Sequence, residues 1–427
     1  MLPALVSVVV IVGAAPSAAA PTEPWTLHTT LESSSPAAGD TVPVPPTEVT
    51  LAFGGLVEVT GAALTLLGSG GHMWTLRPTR PGADQRVITG ALPSLEPGGY
   101  RMEWRVISAD GHAIAGDFVF YVGGGEGDLA APPPSAAADG DHAATGHGDL
   151  PAGAIDGPVP LVIVRSGANL ALLALAGLLL FASLEASGGT PRTAATMRVL
   201  AVAGPIMAAT YGWIWVGGVL GDASSAAARM EGLLSLTSGR ALAAEIVLAA
   251  LTAWALLLAR RPGIATAFAL LAVAAGGGAG HPAAYSRAVA VPASIVHLLA
   301  AALWIGGLLF LVTERRSTGY PASARRVSQV ALASVVVIAL TGVVQTFLIL
   351  GSVPWITGTV YEQMVVAKIA GFLGLIAFAA YHRTRLLPIV DAQDGTARLS
   401  TSVQRELALA VGVVVLAAVL SHVPPIP

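Results

Sequence analysis

His297-Leu298-Leu299-Ala300-Ala301-Ala302-Leu303-Trp304-Ile305-Gly306-Gly307-Leu308 lies inside an apolar run over 290–313, and the length of that run sets the architecture of most of the chain. At a rise of ~1.5 Å per residue, such a run is long enough for the ~30 Å hydrocarbon core of a bilayer. Working outward, seven further runs of the same kind occur near 159–184, 197–220, 239–259, 263–279, 327–350, 363–386 and 403–421. Composition agrees: 54% of residues are hydrophobic and only 11% are charged, against about 25% charged in soluble proteins. Residues 158–427 therefore read as an all-α polytopic domain of about eight transmembrane helices.

Ionisable residues interrupt these runs. Glu245, His297 and Lys368 lie within them, His281 follows Gly280 at the end of the fourth, and Lys368 is the sole lysine in the protein. A charge at mid-membrane costs ~2.5–3.5 kcal/mol on insertion scales, so such residues mark ion or substrate pathways more often than chance. Helical rise places Glu245, His297 and Lys368 on the order of 10 Å below the same membrane face. Met364 lies one turn from Lys368 on the same helix face. The expectation is an outward-facing cavity formed by separate helices. Two plainer readings compete: an ion pair between Glu245 and Lys368, and a purely packing role for Gly306 and Gly307.

Loops on one side carry Arg192, Arg198, Arg260, Arg261, Arg315, Arg316, Arg325, Arg326, Arg383, Arg385, Arg398 and Arg405, whereas the other side carries Arg229, Arg240 and Arg287. The positive-inside rule puts the first set in the cytoplasm and both ends of the mature chain outside. Residues 1–20 end in Ser17-Ala18-Ala19-Ala20 after an apolar stretch, which reads as a secretory signal peptide. Export of the segment beyond residue 20 agrees with the loop charges.

Residues 21–123 change period. Short alternating stretches at 49–53, 63–67, 86–92, 100–106 and 117–122, separated by Gly and Pro turns, read as an extracytoplasmic all-β Greek-key sandwich. Residues 124–157 are rich in Gly, Ala, Pro and Asp, include His142 and His147, and read as a flexible linker. Residues 223–236 suit a short amphipathic helix at the outer interface or a plain loop. The absence of cysteine excludes disulfides and thiolate metal sites, leaving His, Met and carboxylate as metal donors.

Asp110-Gly111-His112 can present a carboxylate and an imidazole together, a donor pair suited to Cu(II). With His28, Leu31-Glu32-Ser33-Ser34-Ser35-Pro36-Ala37-Ala38-Gly39, Pro97-Gly98-Gly99-Tyr100 and Trp104-Arg105-Val106, this stretch resembles the CopC copper-binding domain. The resemblance implies a β-sandwich holding copper through His28, Asp110 and His112. Two features depart from the family pattern: residues precede His28 after any plausible cleavage point, and Phe53 is followed by Gly54-Gly55-Leu56 rather than a carboxylate.

The membrane half resembles the CopD family over most of 160–425, through Gly280-His281, the His297 to Gly307 run and Lys368, with His382-Arg383 where relatives often carry Asn-Arg. The CopC-to-CopD order implies a bacterial inner-membrane protein of copper homeostasis or resistance. It would capture Cu(II) or Cu(I) outside and pass it to or across the membrane, with import as the expected direction. His28, Asp110, His112, His281 and His297 are the expected metal ligands, and Glu245, Met364 and Lys368 the expected pathway residues. Expected partners are copper ions, the lipid bilayer and an exported copper protein; neither nucleic-acid binding nor enzymatic activity is expected. A non-transporting copper chaperone or sensor and a haem-binding membrane oxidoreductase remain as rival readings.

Overall fold

The computed structural model describes residues 30–82, 84–109, 111, 113–123, 159–184, 189–220, 225–278, 288–350 and 359–423. The front part is a two-sheet sandwich. Its strands are β1 (Leu31–Ser35), β2 (Thr41–Val42), β3 (Glu48–Phe53), β4 (Val57–Gly68), β5 (Met73–Leu76), β6 (Pro78–Thr79), β7 (Val87–Ala91), β8 (Gly98–Ser108) and β9 (Ala113–Val122). One sheet has the order β1-β3-β7-β6 and the other β2-β9-β8-β4-β5; every pairing is antiparallel except β2 with β9. Alternation builds the core. Tyr100, Met102, Trp104 and Val106 of β8 point inward to meet Val49, Leu51 and Phe53 of β3, with Trp104 edge-on to Phe53 at 5.3 Å. Arg101, Glu103, Arg105 and Ile107 fall on the opposite face of β8.

The rest is helical: α1 (Val159–Ser183), α2 (Pro191–Leu220), α3 (Ala226–Ser235), α4 (Thr237–Ala253), α5 (Pro262–Gly276), α6 (Ala290–Glu314), α7 (Tyr320–Leu350), α8 (Val360–Tyr381) and α9 (Gln393–Leu420). Wide π turns, Trp254–Leu258 and His382–Leu386, extend α4 and α8. Seven of these helices are long and apolar enough to cross a membrane. The expected fourth span over 263–279 is shorter than read: α5 has 15 residues, about 22 Å of helix. Gly276, Gly277 and Gly278 end it, because glycine holds helical backbone weakly.

The helix α1 is the hub, with 67% of its most apolar window buried, against 11% for α7 and for the α8 span. This difference separates a core helix, apolar all round, from two that turn most of their surface to lipid. Packing at the hub depends on glycine. A Cβ on Gly177 would lie 2.0 Å from the Ala302 carbonyl oxygen, and one on Gly306 would lie 2.3 Å from Gly177 Cα. The Gly306-Gly307 pair therefore serves close helix contact, the plainer of its two readings.

The amphipathic segment is a helix, α3, with Ser225 capping its start. Together with the end of α2 it receives the sandwich. Ile107 is fully buried against Val219 and Leu236, and Arg105 Nη2 donates a short hydrogen bond to the Val219 carbonyl. The sandwich thus sits at the end of the bundle where α4 begins.

Candidate functional site

A cavity of about 970 Å³ opens beneath the sandwich, with Arg165, Glu245, His297 and Lys368 among its lining residues. Each lies about two turns or less from the start of its helix, ~9–12 Å deep by helical rise. Three of the four are the residues expected to share a pocket. They come together because α1, α4, α6 and α8 all run down from the same face.

The fourth, Arg165, is absent from the expected set although its sequence signal is plain: an arginine early in the first apolar run. Its Nη1 lies 3.1 Å from both Glu245 carboxylate oxygens, and its guanidinium lies 4.9 Å from the centre of the Tyr211 ring. The possible pairing of Glu245 with Lys368 is therefore replaced by one with Arg165. Helix order explains the difference, since α1 packs centrally and brings Arg165 to α4. Gly276 makes room, because a Cβ there would sit 3.1 Å from Glu245 Oε2. Among the described residues Lys368 has no hydrogen bond or ion pair.

His297 is held in one tautomer. Thr341 Oγ1 on α7 lies 2.7 Å from the Val337 carbonyl and donates its single proton there, so at 2.9 Å it accepts from His297 Nδ1–H. The Nε2 lone pair is left to a ring that lines the cavity. Such a second hydrogen bond is also how proteins orient a metal-binding imidazole. Met364 is set apart from this group. The lining face of α8 runs through Tyr361, Val365, Lys368 and Phe372, whereas Met364 packs beside Tyr361, Val365 and Leu420.

Gly111 and Ala113 line the same cavity. Gly111 has φ +93, and a Cβ there would meet Trp215 at 2.6 Å and Ser238 at 2.9 Å, so only glycine fits the turn against the bundle. The neighbouring Asp110 and His112, like His28 and His281, lie outside the described residues. Among the described residues no three of His, Asp and Glu converge as a metal site.

Below the cavity a second polar cluster is sealed in. Trp304 Nε1 donates to Glu406 Oε1 at 3.0 Å, Glu406 Oε2 lies 3.0 Å from His382 Nδ1, and His382 Nε2 lies 2.7 Å from Ser402 Oγ. Trp304 also lines the cavity, so the cluster begins at its floor.

The sequence profile described as "CopC domain" matches residues 31–123, and that described as "Copper resistance protein D" matches 321–420. Protein YobA of Escherichia coli (strain K12) is 34% identical over 97 residues, covering 22% of this chain and 78% of that protein. Copper resistance protein C of Escherichia coli is 36% identical over 104 residues, covering 22% and 81%. This chain belongs to the CopC/CopD copper-resistance family.

Among solved structures, CopC from Methylosinus trichosporium OB3b is 35% identical, covers 22% of this chain and 93% of its own, and aligns with a TM-score of 0.22. PcoC from Escherichia coli, titled a methionine-rich copper resistance protein, is 33% identical over 22% and 98%, with a TM-score of 0.20. Across the helices the CopD match is narrower than the resemblance read over most of 160–425. It takes in α7 to α9, with Lys368, His382 and Glu406, and leaves Arg165, Glu245 and His297 outside it. With seven helices of crossing length among the described residues, this CopC/CopD chain is a multi-pass membrane protein.

Proposed function

We propose that the protein captures copper on its exported sandwich and hands it to the cavity beneath. The observation that carries this reading is the placement of Gly111 and Ala113, which flank His112, on the same cavity as His297. His28, Asp110 and His112 are the proposed capture ligands; His297, through Nε2, and His281 are the proposed acceptors. Imidazole and carboxylate suit Cu(II), which is the cargo and not a resident cofactor.

The arginine-rich loops support a cytoplasmic position for the far end of the bundle and an extracytoplasmic one for the sandwich and the C-terminus, in a bacterial inner membrane. Residues 1–20 are proposed as the signal peptide and 124–157 as the tether. Import is the proposed direction, and no covalent chemistry is assigned to the chain.

A chaperone reading has one observation in its favour. The lining descends no further than Trp304, Leu375 and Ala410, beneath which Glu406 and His382 are buried. Uptake of radioactive copper into vesicles reconstituted with the full chain separates the two. Accumulation that falls on His297→Ala and His112→Ala substitution supports transport, whereas surface binding without accumulation supports the chaperone. Copper binding equal to wild type in both variants overturns the handover.

A further inference from the structure

The charges lining the cavity are mismatched to a bare cation. Arg165 and Glu245 neutralise each other, which leaves the Lys368 amine without a carboxylate partner among the described lining residues. A buried charge without a partner is costly, and an intramembrane lysine is retained where something meets it. An acidic group beside the amine holds it protonated, and in a low-dielectric cavity the ion pair so formed is strong.

The walls say what kind of anion. Beyond the few polar groups the lining is aliphatic and aromatic, and about 970 Å³ far exceeds a metal ion while matching the ~300–1,000 Å³ of organic ligand sites. Val343 and Phe347 on α7 and Ile369 on α8 line the cavity, yet they are 56%, 52% and 43% exposed. The cavity wall therefore continues into the lipid-facing surface between α7 and α8. These helices meet near their outer ends, where Ile349 and Leu350 pack on Tyr361 and Val365, and touch little below that. The opening is a side door at the depth of acyl chains.

We infer that the cavity holds an anionic amphiphile taken from the bilayer, its acidic head at Lys368 and its chain lying between α7 and α8. A head group there offsets the ammonium and lies in the same cavity as His297. The inference goes beyond the copper reading and stands without it.

The test is native mass spectrometry of the full chain released from detergent and titrated with oleate, methyl oleate or acetate, all without added copper. Wild type is expected to retain one oleate, with Lys368→Met weaker by at least about tenfold, a loss of ~1.4 kcal/mol, and Lys368→Arg close to wild type. Lys368→Arg guards against misfolding, because it keeps the charge while altering the packing. Thermal unfolding of Lys368→Met close to wild type ties its loss to the head group. Equal retention of oleate by Lys368→Met and wild type overturns the proposal. So does equal retention of methyl oleate and oleate, or displacement of oleate by acetate at similar concentration. Failure of any of these arms leaves the copper experiments untouched.

Discussion

Arg165 and Glu245 form an ion pair across the cavity wall, joining the first membrane helix to the third crossing segment, with Nη1 3.1 Å from both carboxylate oxygens. The two side chains are 12% and 2% exposed, so each depends chiefly on the other for its counter-charge.

Removing one partner is expected to cost far more than removing both. Arg165→Met or Glu245→Gln alone should destabilise the bundle by about 3–5 kcal/mol, because a buried charge loses its counterion, and the Arg165→Met/Glu245→Met pair should recover most of that loss. Thermal unfolding in detergent checks this. A double variant no more stable than the worse single variant would show that the pair is not an isolated charge balance.

The hydroxyl of Thr341 holds His297 in the Nδ1–H form. Thr341→Val is therefore expected to weaken copper binding at the cavity by about 10–100-fold while leaving the imidazole in place. His297→Ala should abolish binding there. Isothermal titration on a background lacking Asp110 and His112 reads the cavity alone; unchanged affinity in Thr341→Val removes the orienting role.

Helix contact at the hub gives two opposite expectations for the same kind of substitution. Gly306→Ala drives a Cβ into the backbone of α1 and should cost on the order of 3 kcal/mol. Gly412→Ala meets nothing within 4 Å in the interior of α9 and should stabilise by about 0.5–1 kcal/mol. Unfolding of the two variants side by side tests the crossing.

Arg105 ties the sandwich to the carbonyl at the end of α2. Arg105→Ala should loosen the seat of Gly111 against the bundle without unfolding the sandwich, since Arg105 lies outside its core. Hydrogen–deuterium exchange is expected to rise at Val219 and Leu236 and to stay unchanged in β3 and β8. Unchanged exchange at Leu236 would mean that Ile107 holds the interface by itself.

Much of this is readable in the chain. The alternation of Tyr100, Met102, Trp104 and Val106 identifies a half-buried strand from consecutive residues, and β8 runs as that alternation requires. The membrane helices are legible, but not their full extents. Tyr320 to Arg326 and Gln393 to Ser402 are helical although too polar for hydropathy to include, because helix geometry continues into the interface where arginine heads reach water. Arg165 lies in the first apolar run as plainly as Lys368 lies in a later one, yet it stands outside the expected set. Its role as the partner of Glu245 depends on which helices touch, and nothing in the local residues states that.

Two kinds of physics divide the outcome. Transfer of an apolar run into lipid, and the in-out pleat of a strand, are sums over neighbouring residues. The order of the apolar helices, the β-sandwich ahead of them and the depth of Glu245, His297 and Lys368 therefore come from the chain alone, whereas the shortness of α5 does not. Which charge meets which, which tautomer His297 holds and whether Gly111 reaches the cavity depend on how helices distant in sequence order and rotate against one another. Close packing through Gly177 and Gly306 sets that rotation, and with it the pairing of Arg165 with Glu245 and the isolation of Lys368 among the described residues.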